Sequence, residues 1–147
     1  MEGGSQMKYI LFIVRFFASA VFFLSGFLKV LNPGGFLLDI QAFAIFPYGF
    51  AYVLSLLIPS LEIICSIALW KKSLRPASTM ILSIMTVGFI VLVTYEEWQG
   101  LNLNCGCFGD WLFFPNFYTH IGFNCILLAT LILNLEQGDH AGKIKAN

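Results

Sequence analysis

The sequence predicts an all-α membrane protein: a four-transmembrane-helix bundle with a short interfacial helix after helix one. Three observations carry this. First, 59% of the 147 residues are hydrophobic and only 11% are charged, with a mean hydropathy of +0.83; soluble domains carry about 25% charged residues. Second, four apolar runs reach the ~20 residues that a helix needs to cross ~30 Å of hydrocarbon. Third, strand-like alternation is absent, and a membrane barrel needs more segments than this length holds. A net charge of zero leaves no basic footprint for nucleic acid.

Residues 1–7 read as a leader or cloning scar, 8–136 as a single membrane domain, and 137–147 as a polar, frayed cytoplasmic tail. The first span covers residues 9–31. Ala18-Ser19-Ala20 imitates a cleavage site, but the apolar run continues through Phe22, Phe23, Leu24, Phe27 and Leu28. That is too long for a signal core, so the helix is retained. Asn32-Pro33-Gly34-Gly35 ends it with strong breakers. Residues 36–46 carry Asp39 and Gln41 and are too short to span, which suits an interfacial or re-entrant helix. The second span covers residues 50–70, with a kink expected at Pro59. The third covers 77–95 and the fourth 117–135. Between them, residues 96–116 form the longest irregular stretch. Trp98, Trp111 and Tyr118 suit a membrane–water interface there.

Basic residues set the topology. Lys8, Lys71, Lys72, Arg75, Lys143 and Lys145, six of the eight, fall on one side. By the positive-inside rule both termini are cytoplasmic, as expected for a bacterial inner membrane. The segment after the third span then faces the periplasm or the exterior.

That segment carries Cys105-Gly106-Cys107-Phe108-Gly109. Thiols one residue apart can close only a tight, strained disulfide, and strained exposed disulfides are the exchange-prone kind. Thiol–disulfide chemistry, a static bridge and metal binding all fit; for zinc, which wants four ligands, His120 is the nearby histidine. Lys29, at the outer end of the first helix, would snorkel to head groups or favour a thiolate. His120 could do the same or accept a proton. Cys65 and Cys125 lie inside spans, where packing is the default.

Arg15 and Glu62 are the ionisable residues well inside the spans. Counted from Lys8 and Lys71 at 1.5 Å per residue, they lie ~10 and ~13 Å deep. Similar depths predict an ion pair, either locking helix one to helix two or holding a polar ligand such as a quinone head group. Ser19, Ser25, Gly26, Ser55 and Ser60 read as close-packing positions.

One order of motifs is familiar: Phe23 through Lys29 with Asn32-Pro33, then Pro59-Ser60-Leu61-Glu62, then Gly100-Leu101 through Cys105-Gly106-Cys107-Phe108-Gly109. It resembles the methylamine utilisation accessory membrane protein family, MauE, within the broader DoxX-like redox-associated membrane proteins. The resemblance covers nearly the whole chain, with Cys105, Cys107, Lys29, Arg15 and Glu62 on family motif positions. It departs at Gly122-Phe123-Asn124, where the family pattern often carries an arginine.

The resemblance implies a bilayer-embedded protein that supports maturation or disulfide formation in an exported redox protein, with a thioredoxin-like partner. As an enzyme it would be a thiol–disulfide oxidoreductase, with a quinone as candidate acceptor. The competing expectation is a non-catalytic subunit of a larger membrane complex, with the two thiols as a static bridge or metal ligands.

Overall fold

A computed structural model describes residues 3–100 and 117–144. Among these the protein is entirely helical: α1 (Gly3–Leu31), α2 (Pro33–Ala42), α3 (Tyr48–Ala68), α4 (Arg75–Gln99) and α5 (Phe117–Ile144). Four of the helices are long and apolar enough to cross a membrane, over Tyr9–Leu31, Tyr48–Ala68, Arg75–Gln99 and Tyr118–Leu135.

Where the helix boundaries differ from the sequence-based expectation, the causes are local. Asn32-Pro33 does more than stop α1. The Asn32 side chain accepts the Gly35 N–H at 3.1 Å and proline occupies the first turn, so the breaker also starts α2 three residues before the apolar run. Glu96 and Glu97 belong to α4, not to a loop. The helix ends at Gly100, whose φ of +66° is the left-handed stop that glycine adopts without strain, its N–H donating to the Glu97 carbonyl at 3.1 Å. At the termini, α1 begins at Gly3, within the supposed leader, and α5 continues through Ile144 in place of a frayed tail. Pro59 lies inside α3, which passes through it as one helix.

α1 packs antiparallel on α3, and α4 packs on α5; α1–α5 and α3–α4 contacts close the bundle, and α2 lies against α3 and the end of α1. An apolar cluster of Ala18, Phe22, Cys65, Leu69, Leu82, Leu127 and Leu131 joins all four long helices. A smaller one sets Phe36 and Ile40 of α2 on Ala51 of α3.

The distribution of polarity is that of a membrane protein. Phe12, Phe16, Ile64, Ile67, Ile84 and Ile126 face outward, while Lys29, Glu62, Ser66, Thr79, Thr86 and Asn134 are buried. Soluble proteins bury charged residues rarely; in lipid, polar side chains turn inward because no water waits outside. Ser66, Thr79 and Thr86 return their hydroxyls to carbonyls three or four residues earlier. No buried side-chain polar atom among the described residues lacks a hydrogen-bond partner.

Candidate functional site

Helical spacing builds the centre of the bundle. On α1 the inward stripe is Ala18, Phe22, Ser25, Gly26 and Lys29; on α3 it is Ala51, Ser55, Pro59, Glu62, Ser66 and Leu69. Both follow the three-and-four step that keeps residues on one helix face. Gly26 lets the two stripes meet. A Cβ there would lie 2.9 Å from Glu62 Cβ, Ile63 Cγ1 and the Pro59 carbonyl oxygen. Only glycine allows this approach.

The approach brings Lys29 to Glu62. Lys29 Nζ donates to Glu62 Oε1 at 2.7 Å, to Oε2 at 2.9 Å, and to Ser25 Oγ at 2.9 Å, one turn back on its own helix. The Ser25 hydroxyl in turn hydrogen-bonds to Glu62. The Lys29 and Glu62 side chains are 1% and 0% exposed. Two rings flank the ammonium, Phe36 of α2 at 5.2 Å and Phe89 of α4 at 4.9 Å, within reach of a cation–π attraction. Lys29 is therefore held by three oxygens and two aromatic faces, contributed by four of the helices.

The expected Arg15–Glu62 pair does not form. Arg15 Nε instead donates to Asn134 Oδ1 of α5 at 3.4 Å. Counting depth along the sequence misplaces Arg15 because α1 starts far beyond the end of α3. Phe12 and Phe16 pack edge-on against Trp70, two residues past α3, so Arg15 sits at the rim of the bundle. Glu62 precedes Trp70 by eight residues and lies ~12 Å deeper. Side chains on a helix lean toward its N-terminus, and this carries the Lys29 ammonium back from the end of α1 to the level of Ser25 and Glu62.

Snorkelling by Lys29 is overturned by the same contacts. Its charge is committed to Glu62, and the stripe spacing on α1 is the sequence signal that it faces inward. Ser25, which reads in the sequence as a packing residue, is part of the centre. Ser60 faces outward, with its hydroxyl on the Leu56 carbonyl at 2.7 Å. Ser19 links the helices: it donates to the Ser66 carbonyl at 2.9 Å and accepts from Trp70 Nε1 at 3.0 Å.

His120 lies one turn into α5 and is partly buried; its carbonyl accepts from Asn124 Nδ2 at 3.0 Å. Cys65 packs in the core as expected, whereas Cys125 faces out of the bundle; both are free thiols. Cys105, Cys107 and Trp111 lie outside the described residues. Glu96, expected in the irregular stretch, is buried in the last turns of α4.

Four spans around a buried ion pair define a multi-pass integral membrane protein with a polar centre in its interior. Compared with known families, residues 7–135 match the model for the methylamine utilisation protein MauE. The chain belongs to that family. No curated protein and no solved structure matches it.

Proposed function

We propose that this member of the MauE family supports disulfide formation in an exported redox protein, exchanging with it through Cys105 and Cys107. The observation that carries the reading is the Lys29–Glu62 pair. An intramembrane charge pair is expensive to keep, and such residues mark functional positions by default. Family membership and the Cys105-Gly106-Cys107 spacing between α4 and α5 add to it.

In this reading a thiolate of the client attacks the Cys105–Cys107 disulfide, giving a mixed disulfide. The client's second thiolate then displaces the remaining bond. The client leaves oxidised, and Cys105 and Cys107 hold two electrons and two protons as a dithiol. Reoxidation requires a two-electron acceptor, for which a membrane quinone is the candidate. At the buried centre Lys29 spends all three ammonium donors on Glu62 and Ser25, so a head group seated there between Phe36 and Phe89 would have to take over one of these bonds. Glu62 and Lys29 are the groups placed to take up or release protons there. A thioredoxin-like protein is the expected intermediary. His120, at the start of α5, is the candidate proton acceptor for the thiol chemistry.

The orientation that fits has both termini in the cytoplasm and the thiol segment outside, since Lys71, Lys72 and Arg75 flank the α3–α4 connection. The test is the disulfide state of the client, read by alkylation shift in cells carrying Cys105→Ser/Cys107→Ser. The expected result is a reduced, poorly accumulating client with the membrane protein still inserted. Normal client oxidation would replace this reading with that of a non-catalytic subunit.

A further inference from the structure

We infer that the rim of the bundle formed by Arg15 of α1 and Arg75 of α4 binds the phosphate of an anionic phospholipid. This site is separate from the Lys29–Glu62 centre and does not rest on the thiol reading.

The rim concentrates positive charge that the described residues leave largely uncommitted. Arg15 is partly buried, and its hydrogen bond among the described residues is the long one to Asn134 Oδ1 at 3.4 Å. Among the described residues Arg75 makes one side-chain bond, from Nε to the Leu69 carbonyl at 3.3 Å. Each guanidinium has five N–H donors, so most of both forks are unspent on the described residues. Both lie at the Trp70 end of the bundle: Phe12 and Phe16, on either side of Arg15 in sequence, pack on Trp70, and Arg75 reaches the carbonyl of the neighbouring Leu69. Lys71 and Lys72, both exposed, add two more cations at the same connection. A half-buried arginine at the edge of a span, at the same end of the bundle as a second arginine, is stabilised by an anion, and the planar fork suits phosphate oxygens.

The surroundings favour a lipid over a free ion. Trp70 is 42% exposed, packs against Phe12 and Phe16, and donates Nε1 to Ser19. A tryptophan with a bonded N–H and an open ring is the amphipathic marker of the head-group level. Phe12, Ile13 and Phe16 expose an apolar surface beside it. Phosphate donors and acyl-chain contacts thus lie side by side, and basic pockets between spans are the usual seat of anionic head groups.

Trp70 supplies the probe. In the full chain carrying Trp98→Phe and Trp111→Phe, it is the sole tryptophan. The protein is reconstituted into phosphatidylcholine vesicles containing a low fraction of either tail-brominated phosphatidylglycerol or tail-brominated phosphatidylcholine. Bromine quenches tryptophan only on contact. The expected result is preferential quenching by the glycerol lipid, about fivefold in relative occupancy for each arginine, which disappears in Arg15→Gln/Arg75→Gln. Should that variant fail to insert, Arg75→Gln alone, at the exposed start of α4, carries the same comparison. The preference should survive Glu136→Gln/Asp139→Asn. Equal quenching by the two lipids would overturn the inference, as would a preference that outlasts loss of the arginines. Abolition of the preference by inorganic phosphate at fixed ionic strength would reassign the site to a free anion, and a preference created only by the Glu136/Asp139 change would reassign it to the chain's own carboxylates.

Discussion

Lys29 and Glu62 hold each other at 2.7 Å in the interior of a four-span bundle, thirty-three residues apart in sequence and almost wholly sealed from the surroundings. Neither would be stable there alone. Removing one partner from a buried pair costs about 3–5 kcal/mol, while replacing both with apolar side chains of similar volume is often neutral. Lys29→Met and Glu62→Met should each lower the unfolding temperature in detergent sharply, and the double variant should recover most of the loss. Additive losses in this cycle would mean that the pair contributes no coupling.

Gly26 controls the same relationship through the backbone. A methyl at this position meets Glu62 Cβ and the Pro59 carbonyl at 2.9 Å, neither of which is the far end of a flexible side chain. Gly26→Ala should force α1 from α3 at a cost of about 1–3 kcal/mol, typical of overpacking. Gly88 provides the control, because a methyl added there would meet open space. Gly88→Ala should be neutral or better, since alanine favours helix. Equal effects of the two substitutions in a denaturation assay would refute the close-approach argument.

Ser25 closes the ring of acceptors around the ammonium. Ser25→Ala leaves Lys29 one acceptor short in a site whose charged side chains are 1% and 0% exposed. The expected cost is about 1–3 kcal/mol, the penalty for an unsatisfied buried donor. Ser60, whose hydroxyl only returns to the Leu56 carbonyl on the outer face, should tolerate the same change within about 0.5 kcal/mol. A thermal-shift comparison of the two alanine variants checks the difference.

How much of this is legible in the sequence depends on which physical signal each residue carries. The four spans follow from hydropathy, and the structure moves only their ends. Glu96 and Glu97 look like a boundary because they are charged, whereas the stop is the left-handed Gly100. Burial on α1 is written in the spacing of Ala18, Phe22, Ser25 and Lys29, a stronger signal than the proximity of Lys29 to the helix end. Depth is the weak link. Counting from Lys8 and Lys71 assumes that the start of α1 is level with the end of α3, and only the packing of Phe12 and Phe16 on Trp70 reveals the offset. Composition cannot supply such an offset, because it is a property of how two helices slide against each other. The thiols at Cys105 and Cys107 lie outside the described residues, so the sequence motif is the whole of their case.

A lock and a participant in chemistry respond differently to loss of the charged pair. If Lys29 and Glu62 only join α1 to α3, then Lys29→Met/Glu62→Met, which keeps the volume and removes both charges, should preserve folding and client oxidation together. If the pair moves protons or holds an electron acceptor, folding should survive while client oxidation falls, because methionine can neither exchange a proton nor donate a hydrogen bond. The expected outcome is the second: an inserted, monodisperse protein whose client stays reduced, as it does with Cys105→Ser/Cys107→Ser. Measuring unfolding and client disulfide state on the same preparations makes the comparison direct. A double variant that is both stable and fully active would leave the pair as a structural clasp, and the search for the redox partner would move to the end of the bundle where α4 and α5 are joined.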